Sequence, residues 1–194
     1  MFNRLAIATA ALFAATMPAF AHLDPVAHGS LMAGFSHPLF GIDHVLVMVA
    51  VGLWAATIGG RALAWVPAAF VGTMIWGFAA ALLGAPIPFV EPVILASIVF
   101  IGLMVALAVS MPVAGMMAAV AFFAFFHGHA HGGELGTAGA AQFAMGFAIA
   151  TALLHAAGIA LGIGLSRWQK KNCTLTRLAG AVTSVAGLWL AFAG

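Results

Sequence analysis

Charge is almost absent from this chain. Six basic and four acidic side chains are spread over 194 residues, only 5% of the total, while 65% are hydrophobic. A soluble domain carries about a quarter charged residues, so these few could not cover a water-facing surface. A soluble enzyme, a nucleic-acid binder and a disordered chain are therefore poor readings. The composition predicts an all-α, polytopic membrane protein whose core is completed by lipid. Eight histidines outnumber either sign of charge, and that imbalance points to the chemistry.

Residues 1–21 read as a secretory signal peptide. Arg4 supplies a short positive start, residues 5–17 an apolar run, and Ala19-Phe20-Ala21 a small-residue cleavage pattern after Pro18. The expected mature chain, 22–194, is a single transmembrane domain that begins outside the membrane with His22, whose α-amine and imidazole could chelate a divalent ion together. A crossing helix needs about 20 apolar residues. Six segments qualify: 31–58, 62–83, 92–110, 112–126 running on towards 132, 140–165 and 178–192.

Orientation follows from a second signal. With the mature N-terminus outside, six spans put the loops at Arg61, at 110–112 and at 166–177 in the cytoplasm. Arg61, Arg167, Lys170, Lys171 and Arg177 all fall there, as the positive-inside rule requires. Asp24, Glu91 and Glu134 fall outside, with Glu91 placed to face a helix dipole. A bacterial-type inner membrane is the expected location. Trp54, Trp65, Trp168 and Trp189 read as interfacial anchors. Gly158/Gly162 and Gly180/Ser184 have the spacing that lets helices approach closely in lipid. The sole cysteine, Cys173, excludes both an internal disulfide and a cysteine metal site.

Two polar motifs interrupt the apolar spans. The first is His37-Pro38-Leu39-Phe40-Gly41-Ile42-Asp43-His44; the second is His127-Gly128-His129-Ala130-His131-Gly132-Gly133-Glu134. Both fall at the outer side, which argues against an inverted-repeat transporter. His37 and His44 are seven residues apart, about 10 Å along a regular helix. One ion can hold both only if the helix breaks, and Pro38 and Gly41 lie between them. His127 and His131 are spaced i, i+4 on one face, and Glu134 continues that face. Ionisable residues inside spans are costly and mark function by default. Imidazole with carboxylate suits a divalent transition ion. The candidate ligands are His37, Asp43, His44, His127, His131 and Glu134. His22, Asp24 and His28 in the outer segment, His129, and His155 alone in the fifth span are additional metal or relay candidates. The plainer role for His155 is an interhelical hydrogen-bond partner.

At these motifs the sequence resembles the HupE/UreJ family of membrane nickel and cobalt transporters. The matching residues are His37-Pro38, Gly41, Asp43-His44, and Phe126-His127-Gly128, Ala130-His131-Gly132, Glu134. The resemblance implies uptake of Ni2+, or in some members Co2+, without enzymatic activity and with no cofactor beyond the transported ion. Ni2+, Co2+ and Zn2+ stay open as cargo, and a methionine-assisted copper handler is a variant within the transport class. The rivals from other classes are a Zn-dependent membrane hydrolase with Glu134 as base, and a b-type haem protein with axial histidines. No GxxxxGK[ST] motif is present, so transport either runs down a gradient or borrows another subunit's energy.

Overall fold

Glycine and proline set the helix ends in the computed structural model, which describes residues 30–135, 139–168 and 173–193. All the described secondary structure is helical. The helices are α1 (Leu31–Phe40), α2 (Ile42–Ile58), α3 (Ala62–Leu82), α4 (Val90–Ala106), α5 (Val113–Leu135), α6 (Ala140–Trp168) and α7 (Thr174–Ala193). The expected signal segment, His22, Asp24 and His28, and the side chain of Glu134 lie outside the described residues.

The first expected span is two helices, not one. Ser30 caps α1 by accepting from the Ala33 amide at 3.0 Å. Pro38 lacks the amide that would continue the ladder, and the helix stops at Gly41, whose backbone is extended (φ −83°, ψ 111°). The chain then turns by 83° into α2. At the far end of α2, Gly59 takes φ 72°, a left-handed conformation that glycine adopts without a Cβ penalty, and the chain reverses into α3.

Among the described residues, α3, α5, α6 and α7 are long and apolar enough to cross a membrane, and α1 with α2 qualifies as one broken span. The remaining apolar helix, α4, has 17 residues and spans about 25 Å, ending earlier than the sequence pattern suggests. Glu91 lies exposed in its first turn, as the dipole argument expects. Arg61, Arg167 and Arg177 share one end of the bundle. There Arg177 Nε donates to the Ala106 carbonyl at 2.8 Å and satisfies the free C-terminus of α4.

Helix α2 runs through the centre. Val47, Met48, Ala50, Val51, Trp54 and Ala55 are fully buried, which suits a helix apolar all round. Trp54 is therefore a core residue rather than the interfacial anchor expected from its position. Its Nε1 donates to the Val109 carbonyl at 3.0 Å and ties α2 to the α4–α5 connection. Trp65, Trp168 and Trp189 are exposed, as anchors should be.

Lipid tails give apolar helices no hydrophobic reason to associate, so close packing must supply it. Glycines provide that contact. Gly77 and Gly128 press α3 and α5 together against the Phe125 and Met74 carbonyls. Gly52 meets Gly158 between α2 and α6, and Gly34 and Gly146 join α1 to α6. Gly102, Gly180 and Gly187 join α4 to α7. Both small-residue pairs read from the sequence thus lie at helix contacts.

Candidate metal site

The break at Gly41 is what brings the two motifs together. It turns α1 so that His37 reaches the same space as His44, from which a straight helix would separate it. The second motif arrives on α5, held against α3 by Gly128 and Gly132. His37, His44 and His131 then each offer one ring nitrogen, and all three lie within 4.8 Å of one another. His44 and His131 are buried and His37 partly so. The rings crowd closely: the centroids of His37 and His131 are 4.4 Å apart, and those of His44 and His131 4.8 Å. Phe147 on α6 packs edge-on against His131 at 4.9 Å and closes the site from one side.

Nε2 of His44 lies 2.6 Å from Nε2 of His131. Two imidazole nitrogens come this close only when one carries a proton that the other accepts. A cation placed between them must displace that proton, because both lone pairs are then needed as ligands.

Asp43 stands behind His44. Its Oδ1 is 2.9 Å from His44 Nδ1, off the ideal hydrogen-bond direction, so the attraction is chiefly electrostatic. A carboxylate on one ring nitrogen favours the N–H there and leaves the other as a ligand, the arrangement used around metal-binding histidines. Gly41 makes this fit possible. A Cβ at that position would stand 2.8 Å from both Asp43 Oδ1 and His44 Nδ1.

His127 sits one turn before His131 but is engaged elsewhere. Ser97 on α4 donates its hydroxyl proton to the Ile94 carbonyl at 2.5 Å. With that proton committed, Ser97 Oγ accepts from His127 Nε2 at 3.0 Å. This fixes the proton on Nε2 and leaves the lone pair on Nδ1, which has no hydrogen-bond partner. His127 borders the cluster, its ring centroid 5.5 Å from that of His44, but it is not one of the three histidines whose ligand nitrogens converge. Nothing in the apolar pattern marks Ser97, a single serine within α4.

The other candidates separate. His129 bonds through Nε2 to the Ala85 carbonyl at 2.8 Å and pins the α3–α4 connection to α5. His155 is fully buried in the middle of α6, against Phe70.

Comparison with known proteins completes the picture. The family model described as HupE / UreJ protein matches residues 10–190. The chain is similar to Protein HupE of Rhizobium leguminosarum bv. viciae, with 40% identity over 181 residues, covering 92% of this chain and 94% of that one. No solved structure gives a significant match.

Proposed function

The chain belongs to the HupE/UreJ family, and on that premise we propose that it is a permease for a divalent transition-metal ion, Ni2+ first and Co2+ second. The carrying observation is the convergence of His37, His44 and His131, from two distant segments, within 4.8 Å. In this reading the mature N-terminus and the cluster face outward across the inner membrane.

A hydrated ion exchanges water for imidazole at the cluster. Imidazole binds borderline divalent ions at about 2.0–2.1 Å, so neighbouring ligand nitrogens settle about 3 Å apart. The 2.6 Å pair of His44 and His131 opens slightly as the shared proton passes to Nδ1 of its own ring, and His37 closes in. Asp43 holds His44 in the ligating orientation and offsets part of the incoming charge. Neutral imidazoles bind less tightly than a cage of carboxylates or thiolates, which suits an ion that must leave again. An inside-negative potential favours entry by about 2.3 kcal/mol per charge per 100 mV, doubled for a dication.

Uptake of radiolabelled Ni2+ and Co2+ into vesicles holding the purified protein, with Zn2+ as competitor, tests the reading. His44→Ala and His131→Ala are each expected to abolish uptake. Transport unchanged in both variants refutes the proposal.

A further inference from the structure

His155 is the buried polar group left unexplained by the outer cluster. It lies 15 residues into the 29-residue α6, about 22 Å along the helix axis. It is 0% exposed, and neither ring nitrogen has a hydrogen-bond partner among the described residues. Among the described residues it therefore has no interhelical hydrogen-bond partner. An imidazole carries one donor and one acceptor, and leaving both unmet in an apolar interior is costly enough to require an explanation.

Its surroundings are built rather than accidental. On one side the Gly52–Gly158 contact presses the His155 backbone against α2. On the other, Phe70 of α3 meets the imidazole edge-to-face, with centroids 4.9 Å apart and planes at 77°. The same Phe70 ring lies 5.7 Å from the His127 ring. One phenyl group therefore touches two fully buried histidines, both with a ring nitrogen that bonds to nothing. One turn from His155, Thr151 Oγ1 donates to Met74 Sδ at 3.7 Å. Met74 is itself one turn from Phe70, so a thioether sulfur faces α6 one turn from the histidine. Imidazole and thioether together favour borderline and soft transition ions over Mg2+ or Ca2+.

We propose that His155, one turn from the Met74 sulfur and against the Phe70 ring, is a second, inner ion station that receives the metal from the outer cluster by way of His127. The inference rests on the permease reading and adds the next step of the path. His127 Nδ1 takes the ion on the outer side of Phe70; rotation of that ring opens the way; His155 takes it on the inner side. Spacing two weak stations in series lets each ion bind without being trapped.

Two variants of similar volume test this: His155→Leu, which cannot ligate, and His155→Met, which can. Co2+ is the probe, measured both as equilibrium binding to the solubilised full-length protein and as uptake into vesicles. His155→Leu is expected to keep Co2+ binding within about threefold while uptake falls at least about tenfold. His155→Met is expected to recover part of that uptake. Wild-type uptake by His155→Leu overturns the proposal. Equal uptake by the Leu and Met variants does so too, because ligation would then be irrelevant. A parallel loss of binding and uptake in both variants also overturns it, by making His155 a packing residue. If the wild-type protein itself moves neither Co2+ nor Ni2+, the permease reading fails and the inner station falls with it.

Discussion

Replacing Gly41 with alanine separates the site from the fold. The backbone there, at φ −83° and ψ 111°, is open to any L-residue, so alanine introduces no strain in the chain itself. Its Cβ, however, would stand 2.8 Å from Asp43 Oδ1 and from His44 Nδ1. Comfortable contact begins near 3.4 Å, so both side chains must retreat by about 0.6 Å. Metal sites tolerate displacements of about 0.2 Å in ligand position. Disturbing the partners that orient a ligand costs about 10- to 100-fold in affinity, equivalent to about 1.4–2.7 kcal/mol. Fold stability should not fall with it, because alanine for glycine at a permissive position contributes about 0.4–1 kcal/mol through the unfolded chain. Calorimetric titration of Co2+ into the solubilised protein, beside its thermal unfolding, reads the two effects separately. Gly72→Ala is the control, since a Cβ there meets nothing within 4 Å; it should bind as wild type. If Gly41→Ala binds Co2+ within about threefold of wild type, then Asp43 and His44 do not set the binding geometry and the reasoning fails.

Two further outcomes follow from the buried imidazoles. Ser97→Ala strands the His127 Nε2 proton in a dry interior and should cost about 1–3 kcal/mol of stability; chemical unfolding measures it, and Ser97→Thr should restore most of the loss. Metal binding should move the proton shared between His44 and His131 from Nε2 to Nδ1 of its own ring, because two neutral imidazoles ligate together through Nε2 only as Nδ1–H tautomers. The pair itself should therefore release no net proton on binding. Titrations in buffers of different ionisation enthalpy count any proton that leaves, and release of a full proton per ion from this pair would contradict the neutral shared-proton geometry.

The helix breaks and the two polar motifs were legible because glycine, proline and histidine are scarce signals against an apolar background. The 83° turn at Gly41 was legible only as a requirement: His37 and His44 could not share an ion without it. Its direction depends on what α1 packs against, and Gly34 and Gly146 decide that from 112 residues apart. The roles of Trp54 and Ser97 were hidden for a different reason. In helices apolar on every face, periodicity no longer tells lipid from core, so a tryptophan near a helix end reads as an anchor and a single serine reads as nothing. His127 and His131 were legible as a same-face pair, yet the hydroxyl of Ser97 draws the first ring away from the second.

The glycine contacts divide the molecule into clamped groups: α1, α2 and α6; α3 and α5; α4 and α7. His37, His44 and His155 ride on the first group, His127 and His131 on the second, with Phe70 and Met74. The imidazoles thus line a fault between two blocks, each internally locked backbone to backbone. Any slip along that fault alters all the cross-block ligand distances in one stroke while leaving every glycine-clamped helix pair intact. The ion's grip is in this sense a mechanical reading of how the blocks sit.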